Sequence, residues 1–296
     1  MKDGSQILFT YHKLISKLES IRGNSLDWSD INVCIFVSTG RTGTHFMSHL
    51  FNDKFEKTFA VHEPDINIYD LNINYLKGKV KDDHCRKMID FFRKDVRKTI
   101  NKSNAVNYIE SNLELSFLIP VLKDYFKNFK VIHVVRNPKD VVRSYYSREA
   151  YGKWVGWVPF MSDKDPRDRL NAGIFPEDPY SSQWQNIDRF EKICWYWNKY
   201  NVLIERNIEN DVSYIRVSFE DLFKRKDVSE WNRMIEFMEL QPYKEKNLDV
   251  VEYMLEQKSN DVKKFKIGKY QDWSDDQKKI LEEICGERMK NYGYQI

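Results

Sequence analysis

Three short segments of this 296-residue chain have the residue types and spacing that anion and proton-transfer chemistry needs. The first is residues 38–46, S-T-G-R-T-G-T-H-F, between an apolar run and a helical pattern. Small residues at such a turn let backbone N–H groups curl around an anion, the helix start adds partial positive charge, and Arg41 adds a full one. Arg41, Thr42, Gly43, Thr44 and His45 are therefore candidates to hold a phosphate or a sulfate. The spacing is not that of an ATP-binding G-x-x-x-x-G-K-[ST] loop, since Gly43 is followed by Thr44 and His45 instead of Lys and Ser/Thr. The second segment is residues 136–146, R-N-P-K-D-V-V-R-S-Y-Y. Ser144 lies eight residues beyond Arg136, about two helical turns, so guanidinium and hydroxyl can converge on one phosphate. The third, V-H-E-P at 61–64, offers a proton acceptor. Glu63 would need burial to raise its carboxyl toward neutrality, whereas an unperturbed His such as His62 titrates near 6.5. Chain alternation and Pro64 direct only one of these two side chains into a shared cleft. Glu110 is a further carboxylate to consider.

The elements that must position these residues follow from pattern. Residues 32–38 and 130–135 are apolar, β-branched runs that read as buried strands, and each hands over to a helix, the second with Asn137 as N-cap and Pro138 at the first helical position. A helical stretch over 83–101, strands at 105–110 and 212–217, and helices over 187–208, 229–239 and 274–292 complete an alternation that predicts a parallel sheet covered on both faces. The expected fold class is α/β, a three-layer domain with a central parallel sheet flanked by helices, forming one domain over 1–296. Two anion-suited strand ends at the C-terminal edge of one sheet suit a ligand with two anionic ends. A ligand-free turn and a capped helix with a solvated basic face are the plainer alternatives.

Residues 149–185 break the pattern with Pro159, Pro166, Pro176 and Pro179 among Trp154, Trp157, Phe160, Phe175 and Trp184, which predicts a long loop or substrate lid. Its aromatic residues beside Glu149, Asp163, Asp165, Asp168, Glu177 and Asp178 suit a cationic, nitrogen-rich small molecule such as a natural product.

Composition narrows the classes. There are 48 Lys and Arg against 45 Asp and Glu, a net charge of +3, and the basic runs are interrupted by acids, which argues against a nucleic-acid binder. Cys34, Cys85, Cys194 and Cys285 form no C-x-x-C pair, no His stands at ligand spacing, and no run is long enough to cross a membrane. The expectation is a reduced, cytoplasmic protein without a metal or membrane partner, monomer or homodimer.

Segments 38–46 and 136–146, in this order, resemble the signature of the PAPS-dependent sulfotransferase family, whose fold is related to that of P-loop NTPases. The resemblance implies that the first loop holds the 5′-phosphosulfate of 3′-phosphoadenylyl sulfate (PAPS) and that Arg136 and Ser144 hold its 3′-phosphate, with adenosine 3′,5′-bisphosphate (PAP) as product and a small-molecule acceptor. A basic stretch, Lys263 to Tyr270, followed by Asp272-Trp273, resembles the family's C-terminal turn and implies that Lys263 and Lys264 assist at the 3′-phosphate. Arg41 stands where cytosolic members usually carry Lys, as in the tyrosylprotein branch, and remains cationic at all working pH. Asn112 occupies the position of those members' His base. A carboxylate after the first helix serves as base in the tyrosylprotein branch, which places Glu63 first and His62 second. His45 could donate to the leaving group. The family also implies an aromatic partner for adenine near Phe190 and Trp195. The competing class is a P-loop nucleotide kinase or NTPase, against which the missing Lys speaks.

Overall fold

A computed structural model describes residues 28–65, 68–148, 150–151, 170–208, 212–241, 253 and 265–296. Strand β1, Asn32–Val37, is buried from Val33 onward. Side chains alternate across a strand, so Val33, Ile35 and Val37 enter one core while Cys34 and Phe36 enter another on the opposite face. Strands β2 (Thr58–His62), β3 (Asn107–Ser111), β4 (Asn128–Val135) and β5 (Ser213–Ser218) complete the sheet in the order β2-β3-β1-β4-β5, each neighbour parallel. In β4, Phe129 and Val131 join the first core, and Ile132 and Val134 the second.

Helices α1 (Thr44–Lys54), α2 (Ile68–Leu76), α3 (Asp82–Phe92), α4 (Lys94–Ser103), α5 (Ile119–Tyr125), α6 (Pro138–Ser147), α7 (Arg189–Ile208), α8 (Val228–Met238) and α9 (Asp275–Asn291) cover the sheet. Met47, Leu50 and Phe51 of α1 and Trp231 and Met234 of α8 fill one core; α2 to α7 and α9 close the other. The expected α/β, P-loop-NTPase-like three-layer arrangement is the one observed. From β1 the chain crosses to β2, and from β4 it crosses the other way to β5. A crevice therefore opens beyond the C-terminal ends of β1 and β4, where open α/β sheets receive ligands.

Three sequence expectations change. The helical stretch over 83–101 is two helices broken at Arg93, whose backbone (φ −97°, ψ 12°) leaves the helix. Its guanidinium turns inward to Glu110, with Nε donating to Oε2 at 2.7 Å and Nη2 donating to Oε1. Tyr108 Oη and Asn112 Nδ2, the latter at 2.8 Å, donate to the same carboxylate. Glu110 is thus a buried structural ion rather than a base. Burial works against the Arg93 charge, but Glu110 outweighs it and holds that charge above its ordinary pKa.

The lid is also revised. Residues 149 and 152–169, with Trp154, Trp157 and Phe160, lie outside the described residues. In the remainder, Leu170, Ala172, Phe175 and Trp184 are buried, because α7 offers them an aromatic face: Trp184 meets Trp195 at 4.9 Å. Asp178 accepts from Trp195 Nε1 at 3.1 Å and pairs with Lys199 at 3.0 Å, so this carboxylate braces the fold. Finally, β2 and α2 escaped the sequence pattern, since T-F-A-V-H is a five-residue edge strand in which only Ala60 is fully buried.

Two outcomes follow from the buried polar groups. Glu110→Ala would leave the Arg93 charge unpaired and should cost about 3–5 kcal/mol in urea unfolding, where a catalytic carboxylate would unfold normally. Burial pushes the His133 imidazole down to about 4, with Nε2 bonded to Asn201 Oδ1 at 3.0 Å. The unfolded imidazole, near 6.5, takes up its proton first, so stability present above that pH is lost as pH falls toward 4. At about 1.4 kcal/mol per unit the loss totals on the order of 3 kcal/mol, and His133→Gln should flatten that part of the pH profile.

Candidate functional site

The loop leaving β1 is shaped by backbone conformation. Gly40 (φ +81°), Arg41 (φ 63°) and Gly43 (φ +74°) all adopt left-handed geometry. A Cβ on Gly40 would stand 2.2 Å from Tyr145 Oη, and one on Gly43 2.7 Å from the Phe223 ring, so both positions exclude any side chain. Ser38 Oγ accepts from Gly40 N at 3.0 Å and from Thr42 Oγ1 at 2.8 Å, while Tyr145 Oη donates to Thr39 O at 2.7 Å. Gly43, the N-cap of α1, has no side chain with which to cap the first-turn N–H groups, which find no partner within the helix itself.

The second strand end reaches the same place. Asn137 caps α6 through Lys139 N, with Pro138 in the first turn as its sequence implies. Trp197 Nε1 donates to Arg136 O at 3.0 Å, and the Arg136 guanidinium stacks 4.0 Å over Phe219. Held this way, Arg136 Nη1 donates to Arg41 O, and Arg41 Nε donates to Ser144 Oγ at 3.0 Å. The two segments thus meet on Arg41. Burial first, then the nearby guanidinium of Arg148 and, more weakly, that of Arg136 pull the Arg41 pKa below its ordinary value. Cations crowded in this way are relieved by a bound anion.

The proton-transfer candidates lie beside α1. His62 Nδ1 contacts Ser111 O at 3.0 Å and Ser111 Oγ at 2.9 Å, and Ser111 Oγ donates to Thr44 O at 3.0 Å. A carbonyl only accepts, so Nδ1 carries the ring hydrogen and neutral His62 keeps its lone pair on Nε2. The His62 ring lies 5.4 Å from His45, which lies 4.7 Å from His49. Partial burial, then these two neighbours, lower the His45 pKa. Glu63 is exposed with φ 44°, its N–H donating to Ser111 O at 3.1 Å; the burial expected to raise its carboxyl is absent, although its charge reaches Tyr145.

Other expected residues divide similarly. Lys263 and Lys264 lie outside the described residues. The segment after them lies along α6, where Phe265 stacks 3.7 Å under Arg143 and Lys266 N donates to Ser147 Oγ at 3.0 Å. Phe190 packs edge-on against Trp273 at 5.0 Å and Trp195 lies among Trp184 and Phe175, so both are core and neither offers a free face to adenine. Asn112 is buried and accepts from Glu114 N at 3.0 Å. Sequence reasoning missed Ser111, Tyr145, Arg148, Trp197, Phe219 and Phe223. Tyr145 alone had a signal, being inside the second motif. Among the described residues no group of three or more His, Cys, Asp or Glu could hold a metal ion, and no helix is long and apolar enough to cross a membrane.

The left-handed turn after β1, with Arg41, Arg136 and Ser144 meeting over it, stands at the switch point of an α/β sheet. Which such protein is decided by sequence: the sulfotransferase domain family model matches residues 32–293, and the chain belongs to that family. No curated protein matches it significantly. Its structure is similar to the sulfotransferase domain from the curacin biosynthetic pathway (11% identity, TM-score 0.42, covering 71% of this chain and 74% of that one). It is also similar to mouse sulfotransferase SULT7A1 complexed with PAP (13%, 0.46, 94% and 89%) and to a sulfotransferase from Alicyclobacillus acidocaldarius (13%, 0.45, 90% and 97%).

The crowding at Gly40 is testable by a double-mutant cycle. Gly40→Ala should cost about 1–2 kcal/mol for the left-handed backbone alone and more for the clash. In a Tyr145→Phe background, thermal unfolding should show the additional part recovered.

Proposed function

We propose that this protein transfers the sulfuryl group of PAPS to a hydroxyl or amine of a small molecule, a cationic, nitrogen-rich compound fitting best, and releases PAP. The observation that carries the reading is the meeting of Arg41, Arg136 and Ser144, with Arg148 nearby, over a turn that a Cβ would fill. These residues suit a ligand with separate anionic ends. Arg41, Thr42, Gly43, Thr44 and His45 bind the 5′-phosphosulfate, and Arg136 and Ser144, with Lys263 and Lys264, the 3′-phosphate. When bound, PAPS supplies an electrophilic sulfuryl group on a phosphate leaving group.

The residues do the rest. Arg41 stabilises charge that builds on the bridging oxygen, and its hydrogen bond to Ser144 Oγ is exchanged for bonds to the ligand. His62, oriented by Ser111, accepts the proton of the nucleophile at Nε2 while that oxygen or nitrogen bonds to sulfur. The sulfur–oxygen bond to the 5′-phosphate breaks and the electron pair stays on that phosphate. Glu63 provides the second reading of the base, favoured by its charge reaching Tyr145.

Calorimetric titration with PAP tests the cofactor, with ATP and Mg²⁺ as control. Micromolar PAP binding, lost in Arg136→Ala and absent for ATP, is expected; tight ATP binding without PAP binding would instead indicate a P-loop kinase or NTPase. Once an acceptor is in hand, His62→Asn should lower kcat about 10²–10⁴-fold and remove the acidic limb of the pH–rate profile, whereas Glu63→Gln should keep that limb. The reverse pattern would move the base to Glu63.

A further inference from the structure

Leu113 and Tyr145, whose side chains stand closest to Gly40, also wall a small cavity of about 30 Å³. Tyr69, Tyr145, Tyr151, Tyr196 and Tyr200 supply most of its aromatic lining, and Glu114 is the one charged side chain among the described residues that line it. The space admits one or two small heavy atoms and excludes a ring. From this geometry we infer that the cavity receives the alkylammonium head of the acceptor, with Glu114 as counter-charge and tyrosine rings as walls. The inference rests on the sulfuryl-transfer reading and deepens it by naming the cationic group of the acceptor and the place that holds it.

The chemistry of the wall selects charge. Tyr145, Tyr151 and Tyr200 spend their hydroxyl hydrogens on backbone carbonyls, at 2.7 Å to Thr39 O, 2.7 Å to Leu170 O and 2.6 Å to Leu113 O. The rings are packed on one another, Tyr145 with Tyr196 at 5.5 Å and Tyr196 with Tyr200 at 5.1 Å, which fixes their orientation. Burial pushes the Tyr145 phenol up to about 12 and those of Tyr196 and Tyr200 well above the ordinary value, and the Glu114 charge adds to each shift. The phenols are therefore neutral at working pH, so among the described lining residues the electrostatic character of the wall comes from aromatic faces and one carboxylate, while the Arg41 charge acts on Tyr145 from the loop side. The faces and the carboxylate both attract a cation, and the low dielectric strengthens the attraction. A neutral alcohol would gain neither effect and a carboxylate would be repelled.

Position completes the argument. The cavity shares two wall residues with the surroundings of Gly40, next to Arg41 in the chain, so an ammonium held there keeps the rest of a short acceptor beside the anion loop. The sulfated atom is then a second nucleophile on the same molecule, as in an amino alcohol or a diamine, because a nitrogen kept protonated by Glu114 has no lone pair to offer.

Calorimetry and thermal unfolding of the PAP-saturated protein, titrated with ethylammonium chloride, test this, with ethanol and sodium chloride as matched controls. Ethylammonium should give a saturable response in the millimolar range, to which so few heavy atoms limit it, and the controls none. Glu114→Gln should weaken it about tenfold or more, and Ile73→Phe, which fills the cavity from α2, should abolish it while PAP binding persists. An equal response to ethanol, unchanged affinity in Glu114→Gln, or ethylammonium binding that survives Ile73→Phe would each overturn the inference. Failure to bind PAP at all would instead overturn the sulfuryl-transfer reading beneath it.

Discussion

Positive charge gathered at the C-terminal ends of β1 and β4 is the constraint around which the other features are arranged. Arg41 is partly buried beside two other guanidinium groups, a placement that burial and like charge both oppose. It is sustained by neighbours that fix it geometrically. Ser144 accepts from its Nε, Arg136 donates to its backbone carbonyl, and Tyr145 ties Thr39 two residues earlier. Behind Arg136, Phe219 and Trp197 hold the guanidinium and its carbonyl in place. Binding sites commonly hold such strained charge, because the ligand offsets what folding alone does not.

The rest of the sheet serves that arrangement. Its two cores, fed by alternate residues of β1, keep the central strand rigid along its length, so the turn at its end has a fixed origin. One strand away, the buried Arg93–Glu110 pair pins β3 directly before Ser111. Ser111 then transmits that position in two directions, to the first residue of α1 through Thr44 O and to the ring of His62. A carboxylate resembling a catalytic candidate in sequence is in this way structural, and a serine without any motif orients the ring of His62, the base we propose.

The cradle residues share a neighbourhood with the tyrosine-lined cavity through Tyr145, whose ring walls the cavity while its hydroxyl holds the loop. In the proposed reading the acceptor and cofactor sites are joined by this one side chain, so displacement of Tyr145 by a ligand on one side would alter the carbonyl of Thr39 on the other. Such coupling suits a reaction in which two ligands must be aligned in line before the transfer.

Local chemistry was legible without a fold. Glycines at 40 and 43, Asn137 and Pro138 at a helix start, and unbroken apolar strands each act over a few residues, so their spacing disclosed the turn, the cap and the parallel sheet, and with them the family. What could not be read locally are bonds between segments that only crossover connections bring together. Tyr145 reaches Thr39 across 106 positions, Ser111 reaches His62 across 49, and Arg93 breaks its helix to meet a strand 17 residues on. The aromatic residues at 175 and 184 read as a lid because polar, proline-rich sequence surrounds them, yet α7 gave them an apolar face to bury against. Sequence by itself determined which residue types suit an anion and in what architecture; tertiary structure decided which carboxylate is buried as an ion, which ring nitrogen of His62 is engaged by Ser111 and which tyrosines enclose a cavity, because burial and hydrogen bonding are properties of neighbours in space.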